Sequence, residues 1–256
     1  PDVVIVGGVR TPIGTYKGSL KNMRADQLGS EVIKEVIKRC KISNDEIDEV
    51  IMGQVLTAGN GQNPARQAAI NAGISILKPS HLVNQVCGSG LRAVISGFQS
   101  IKLGDVKSVI CGGQENMSIA PHFIFYRDKN KISKKELEDT MIYDGLMDAF
   151  NNYHMGVTAE NVAQKFNISR EEQDNFALNS QKKTQDAIDN NKFDDELVEI
   201  NQGEKLLKKD EHPRYNLELS DLKKLKPVFR DKGTVTPGNS SGINDGAAAM
   251  LITTME

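Results

Sequence analysis

Apolar positions along the first 116 residues alternate between two spacings. Residues 3–6 are a continuous apolar run ended by Gly7-Gly8, which predicts a strand covered on both faces. Leu28, Val32, Val36 and Cys40 recur every fourth residue, with Ile33 and Ile37 beside them, and predict an amphipathic helix. Residues 50–52, ended by Gly53, predict a short strand. Asn63-Pro64 supplies a cap and then Pro at the first helical position, and Gly73 closes that helix. Residues 81–86 predict another strand. Leu91, Val94, Ile95, Phe98 and Ile101 define a helical face stopped by Gly104, and Val109-Ile110 predict a strand ended by Gly112-Gly113. Strands and helices in alternation favour an α/β sheet layered by helices.

The pattern changes after residue 116. Ser169 with Glu172 forms a capping box that opens a long helix to about residue 188. His154, in NNYHMGVTAENVA, precedes a helix expected to be capped by Thr158, and Ser220 is expected to cap a short basic helix over 221–225. Residues 122–135 set Arg127, Lys129, Lys131, Lys134 and Lys135 beside Phe123, Phe125 and Tyr126. They suit a solvated loop or an arm that docks aromatics on another subunit. Residues 247–254 turn apolar again and predict a buried strand that rejoins the first sheet, so 117–243 reads as an insertion.

Composition sharpens this division. Residues 1–116 hold 15 of the 22 Gly, and charged residues rise from 23 of 116 there to 43 of 140 afterwards. The first part is therefore a Gly-punctuated core and the second a helical, solvent-facing insertion. A formal net charge of −2 argues against a nucleic-acid partner, which usually meets a basic excess. No apolar run approaches the roughly 18 residues of a membrane span. Three Cys without a CxxC pair indicate a reducing compartment, no disulfide scaffold and no metal site.

One stretch carries chemistry. In HLVNQVCGSGLRAV, Cys87 lies where a strand turns into a helix, with Gly88 and Gly90 expected to permit a tight turn and a ligand's approach. A helix N-terminus offers N–H groups and the positive end of the helix dipole, and both favour the thiolate, the nucleophilic form. Cys40, on an apolar stripe, and Cys111, in a buried strand, read as structural. Among the four His, His154 alone stands in a distinctive setting.

With CGSG in place, five further stretches occur in order: VRTPIGTYKGSL near the start, NPARQAA at 63–69, GGQENMS at 112–118, MGVTAENVA at 155–163 and GNSSGINDGAAA at 238–249. Together they resemble the thiolase family across essentially the whole chain, and YHMG resembles its biosynthetic, acetoacetyl-CoA type. The resemblance implies a layered αβαβα core of two similar halves, with a mostly helical loop domain inserted in the first. Here the first half would be 1–116 and 244–256, and the inserted loop domain 117–243, with a tetramerisation arm at about 121–139. It implies that Cys87 takes an acetyl group from acetyl-CoA and passes it to a second acetyl-CoA in a reversible Claisen condensation. The Cys87 N–H would be an oxyanion donor. Ser241 would contact the pantetheine arm, Arg214 in DEHPR and Leu225 the nucleotide end, and His154 and Met155 would line a short acyl pocket. After Arg214, YNLELS departs from the Gly-Ala-Thr-like run of the family. Coenzyme A thioesters would be substrates, with no tightly bound cofactor. A homo-oligomer, a dimer of dimers, and a cytoplasmic setting (or a mitochondrial one after loss of a transit peptide) would follow.

The family's second cysteine in a CxGGG-like segment, its GHP histidine and its NEAFA-like asparagine are absent from these 256 residues. The chain thus reads as the nucleophile half and coenzyme A cradle of a longer enzyme, inactive alone. Two alternatives are another thiolase-fold condensing enzyme and a non-catalytic coenzyme A-binding or oligomer module.

Overall fold

The computed structural model describes residues 1–127, 137–201 and 206–255, so part of the expected 121–139 arm, including Lys129, Lys131, Lys134 and Lys135, lies outside the described residues. The chain forms two compact units. The first comprises Pro1–His122, Asp195–Glu211 and Asn244–Glu256; the second comprises Phe123–Asp194 and His212–Ile243.

The first unit is built on one mixed sheet. Its elements in chain order are β1 (Val3–Arg10), β2 (Gly14–Thr15), α1 (Ala25–Cys40), β3 (Glu49–Gly53), α2 (Pro64–Asn71), β4 (Ser80–Val83), α3 (Ser89–Leu103) and β5 (Ser108–Asn116). The last strand of the chain (Asn244–Thr254) lies between β1 and β5, antiparallel to both, while β5, β3 and β4 run parallel. The apolar run after residue 246 does rejoin the first sheet, as its hydrophobic pattern predicted.

Alternation along the strands explains the layers. Val50, Met52 and Ile110 face one side and pack with α1 and α2 through Leu28, Val32, Val36, Ala65 and Ala69. Ile51, Val109 and Cys111 face the other and pack with Ala93 and Ile101 of α3. This is an α/β unit with a central sheet flanked by helices, the fold class expected from the sequence.

Three expectations need correction. Residues 3–6 are not covered on both faces: Ile5 and Val6 are exposed, and β1 continues through Gly7-Gly8 to Arg10. β5 likewise runs through Gly112-Gly113 to Asn116. A Cβ on Gly112 would lie 2.0 Å from the Ala248 carbonyl oxygen, so glycine here admits a neighbouring strand rather than ending its own. The third concerns α3. Its buried stripe is Ser89, Ala93, Gly97 and Ile101, while Leu91, Ile95 and Phe98 of the predicted face are exposed.

Residues 195–211 pack with the first unit rather than with the 117–243 segment to which the sequence pattern assigns them. Val198 and Ile200 are buried in the core of the first unit, and the Arg10 guanidinium meets Glu196 at 2.6 Å and Asp210 at 2.7 Å. Asp210 also accepts from the Ile13 N–H, and Glu211 from the Thr15 and Ser19 N–H groups.

The second unit is mostly helical: α4 (Met155–Phe166), α5 (Arg170–Asp189) and α6 (Leu219–Lys223). The Ser169–Glu172 capping box opens α5 as predicted. The other two caps differ. His154, not Thr158, caps α4; Thr158 sits inside the helix with its hydroxyl buried and unpartnered among the described residues. Glu218, not Ser220, caps α6, two residues earlier than expected. Arg170 ties the unit together. It pairs with Asp174 at 2.8 Å and donates to the Leu222 and Leu225 carbonyls, while Asp174 accepts from Asn239. Among the described residues no helix is long and apolar enough to cross a membrane.

Candidate active site

Cys87 lies in the first unit, in the five residues between β4 and α3, and is exposed. Gly88 is the N-cap residue of α3, makes no side-chain hydrogen bond, and no acidic side chain stands in the first turn. The partial positive charge of the helix start is thus left for whatever approaches it.

The turn is built differently from the one the sequence suggested. Neither Gly88 nor Gly90 takes a positive φ; Val86 does, at 49°. A β-branched residue in the left-handed region costs on the order of 1–3 kcal/mol, and it stands directly before Cys87. Its surroundings hold it there. The Val86 N–H donates to Asn84 Oδ1 at 2.9 Å, and the Gln85 carbonyl accepts from the Gly88 N–H at 3.0 Å. The Val86 carbonyl accepts from the Ser89 hydroxyl at 2.6 Å and the Ser89 N–H at 3.1 Å. Gly53 at the end of β3 sets the position of the helix start. A Cβ there would stand 2.5 Å from the Ser89 carbonyl carbon and 2.6 Å from the Gly90 nitrogen. Only glycine lets the first turn of α3 rest on β3 at this distance.

The other two cysteines differ sharply. Cys111 is fully buried, and burial, with a smaller contribution from the Glu49 charge, pushes its thiol up to about 12. Burial also pushes the Cys40 thiol up. Neither suits a nucleophile, in agreement with the sequence reading.

The remaining candidate residues lie in the second unit. The His154 ring stacks on Phe229 with centroids 4.8 Å apart, and its Nδ1 accepts from the Gly156 N–H at 2.9 Å. Capping therefore uses the Nδ1 lone pair, and in the neutral ring the proton sits on Nε2. Met155, the first residue of α4, is partly exposed. Arg214 and Leu225 line one pocket of about 130 Å³ together with His212, Leu217, Pro237 and Ser240. Gln181 of α5 also lines it and accepts from the Arg214 N–H at 2.8 Å; beside it, Gln185 accepts from the Asn216 N–H at 3.2 Å. Ser241 is exposed; its neighbour Ser240, rather than Ser241 itself, lines this pocket. Phe229, Gln181, Val86 and Ser89 carried no periodic signal by which the sequence alone could single them out.

Many residues of the ordered motifs prove to be braces. Asp245 of the last strand accepts from the Met117 and Ser118 N–H groups, which joins INDGAAA to GGQENMS. Glu115 accepts from the Val55 and Leu56 N–H groups, and burial pushes its carboxyl above the usual range. Asn63 caps α2 by accepting from the Arg66 N–H, and Glu160 of MGVTAENVA accepts from the Thr234 and Val235 N–H groups. Burial opposes the Glu160 charge, and these bonds outweigh it, so its carboxyl lies below the usual range.

The first unit thus presents an exposed cysteine just ahead of a helix start, next to a residue held at positive φ. The particular family follows from comparison: residues 3–256 match the family described as "Thiolase, N-terminal domain", and the chain belongs to the thiolase family. It is 49% identical to the acetyl-CoA acetyltransferases of Paracoccus denitrificans and Pseudomonas aeruginosa, over 98% of this chain and 65% of each relative. It is 48% identical to a probable acetyl-CoA acyltransferase of Staphylococcus aureus, again over 98% of this chain and 65% of the relative. The chain thus spans about 65% of the length of these relatives.

Proposed function

We propose that the chain is the nucleophile half of an acetyl-CoA acetyltransferase, in which Cys87 accepts an acetyl group. The observation that carries this reading is the exposed Cys87 at the start of α3, within the family's CGSG motif. Its thiolate attacks the acetyl-CoA carbonyl, the C–S bond to coenzyme A breaks, and coenzyme A leaves as its thiolate. Acyl-cysteine and acyl-CoA are both thioesters, so the exchange is close to thermoneutral in either direction. In the second step the Cα carbanion of another acetyl-CoA attacks acetyl-Cys87, giving acetoacetyl-CoA and the free Cys87 thiolate. The Cys87 N–H stabilises the oxyanion of each tetrahedral species.

In the second unit, Arg214 meets the nucleotide phosphates while Leu225 and Leu217 supply apolar wall. Ser241 contacts the pantetheine arm, and His154 and Met155 bound the acyl group. The exposed face of α3, with Leu91, Ile95 and Phe98, packs against the second half of the core, which brings the base that removes the Cα proton. The assembly is a homo-oligomer, a dimer of dimers, in the cytoplasm, and the 121–139 arm contributes to the tetramer.

The complete protein should cleave acetoacetyl-CoA in the presence of coenzyme A, whereas residues 1–256 alone should show negligible cleavage. Release of acetyl-CoA, followed by chromatography, checks both. Robust cleavage by the 256 residues would overturn the incomplete-site reading, and a complete protein inert toward acetoacetyl-CoA would overturn the substrate.

A further inference from the structure

The backbone just before Cys87 is held by the hydrogen bonds of its own turn and by one buried hydroxyl that bonds it twice. Ser89 is only 5% exposed. Its Oγ donates to the Val86 carbonyl at 2.6 Å and accepts from the Gln85 N–H at 2.9 Å. Val86 is the residue at φ 49°, a conformation that a β-branched side chain leaves unless it is restrained. The peptide on its N-terminal side is already fixed by Asn84 and Gly88. The peptide on its C-terminal side joins Val86 to Cys87, and Ser89 holds its carbonyl. A trans peptide is planar, so fixing the Val86 C=O also fixes the Cys87 N–H, which points the opposite way.

We infer that Ser89 is the positioning residue of the nucleophile: by clamping the Val86–Cys87 peptide it sets the direction of the Cys87 N–H and the placement of the Cys87 thiol. This rests on the reading of Cys87 as acyl acceptor. Ser89 itself touches no substrate. Its hydroxyl offsets the cost of left-handed Val86, and that strain is what would rotate the peptide if the hydroxyl were lost.

The test uses the complete protein as wild type, Ser89→Ala, Ser89→Thr, Val86→Gly and the Val86→Gly/Ser89→Ala pair. Three quantities are measured: the pH–rate profile of iodoacetamide alkylation at the Cys87 peptide, kcat and KM for acetoacetyl-CoA thiolysis, and the thermal midpoint. Ser89→Ala should slow Cys87 alkylation across the profile without changing alkylation of Cys40. It should lower kcat by roughly 10-fold to 100-fold, with KM nearly unchanged. Ser89→Thr, which keeps the hydroxyl, should recover most of the loss. Glycine takes a positive φ without cost, so Ser89→Ala should lose less in the Val86→Gly background than in the wild type. A Ser89→Ala protein with the wild-type alkylation profile and kcat would overturn the inference. So would equal losses in both backgrounds, or a loss that tracks the thermal midpoint and affects Cys40 equally. If wild type shows no thiolysis, the functional reading fails, and the alkylation arm still decides the role of Ser89.

Discussion

Cys87→Ser in the complete protein should reduce turnover by about 10⁴-fold or more while leaving the fold intact. The serine oxygen remains protonated at neutral pH, and no base in the first unit stands in hydrogen-bonding position to activate it among the bonds described for residues 84–89. An acetyl group that did reach serine would form an oxygen ester, and its return to coenzyme A would be uphill. Cys87 is exposed, so its replacement removes little packing, and unfolding free energy should change by less than about 0.5 kcal/mol. Steady-state thiolysis together with thermal unfolding separates the two effects. Loss of activity with an unchanged midpoint is the expected pair, and normal thiolysis by the variant would remove Cys87 from the chemistry.

Gly53→Ala should produce a large loss of stability from a single methyl group. The new Cβ would lie 2.5 Å from the Ser89 carbonyl carbon, 2.6 Å from the Gly90 nitrogen and 2.7 Å from the Ser89 Cβ. Two of these three atoms are backbone of α3, and β3 is fixed between β4 and β5, so neither side can yield by a rotamer change. Overpacking of this kind costs about 3 kcal/mol or more. In a chain of this size the thermal midpoint should fall by about 6–12 °C. Because the helix start must move away from the sheet, alkylation of Cys87 should slow as well. Gly90→Ala is the matched control: its Cβ would meet only the Gly112 carbonyl oxygen, at 3.9 Å, and it should be tolerated within about 1 kcal/mol. Calorimetry on the two variants checks the contrast.

Gly53 and Gly112 show what the sequence makes legible and what it does not. Hydrophobic spacing locates α1 and α3, cap residues locate α2 and α5, and the apolar run after residue 246 marks the return of the chain to its sheet. The sequence marks both as strand ends: Gly53 does end β3 while also admitting the start of α3, and Gly112 lies inside β5. A glycine that admits a neighbouring backbone looks no different, in one dimension, from one that punctuates. The turn at Cys87 failed in a similar way. Gly88 and Gly90 were the natural candidates for an unusual backbone conformation, but Val86 takes it, held by hydrogen bonds from residues before and after it that no periodicity announces. The apolar face of α3 was correctly seen as apolar, and it is exposed because the residues that pack on the sheet are the small ones, Ser89, Ala93 and Gly97.

The candidate site divides along the same line. The place of Cys87 is legible because a cysteine between a strand and a helix has a local signature. Arg214 and Leu225 come from motif position alone, and the structure puts both on one pocket that Gln181 of α5 also lines, with its side chain accepting from the Arg214 N–H. His154 was expected ahead of its helix and proves to be the cap itself, a role that fixes its tautomer.

The most direct measurement is to incubate the complete protein with acetyl-CoA, digest it, and map the acetyl group by mass spectrometry. The account predicts one acetyl group on the peptide containing Cys87, absent from the Cys87→Ser variant and removed by added coenzyme A. No acetylation of that peptide, or acetylation that persists in Cys87→Ser, would contradict it.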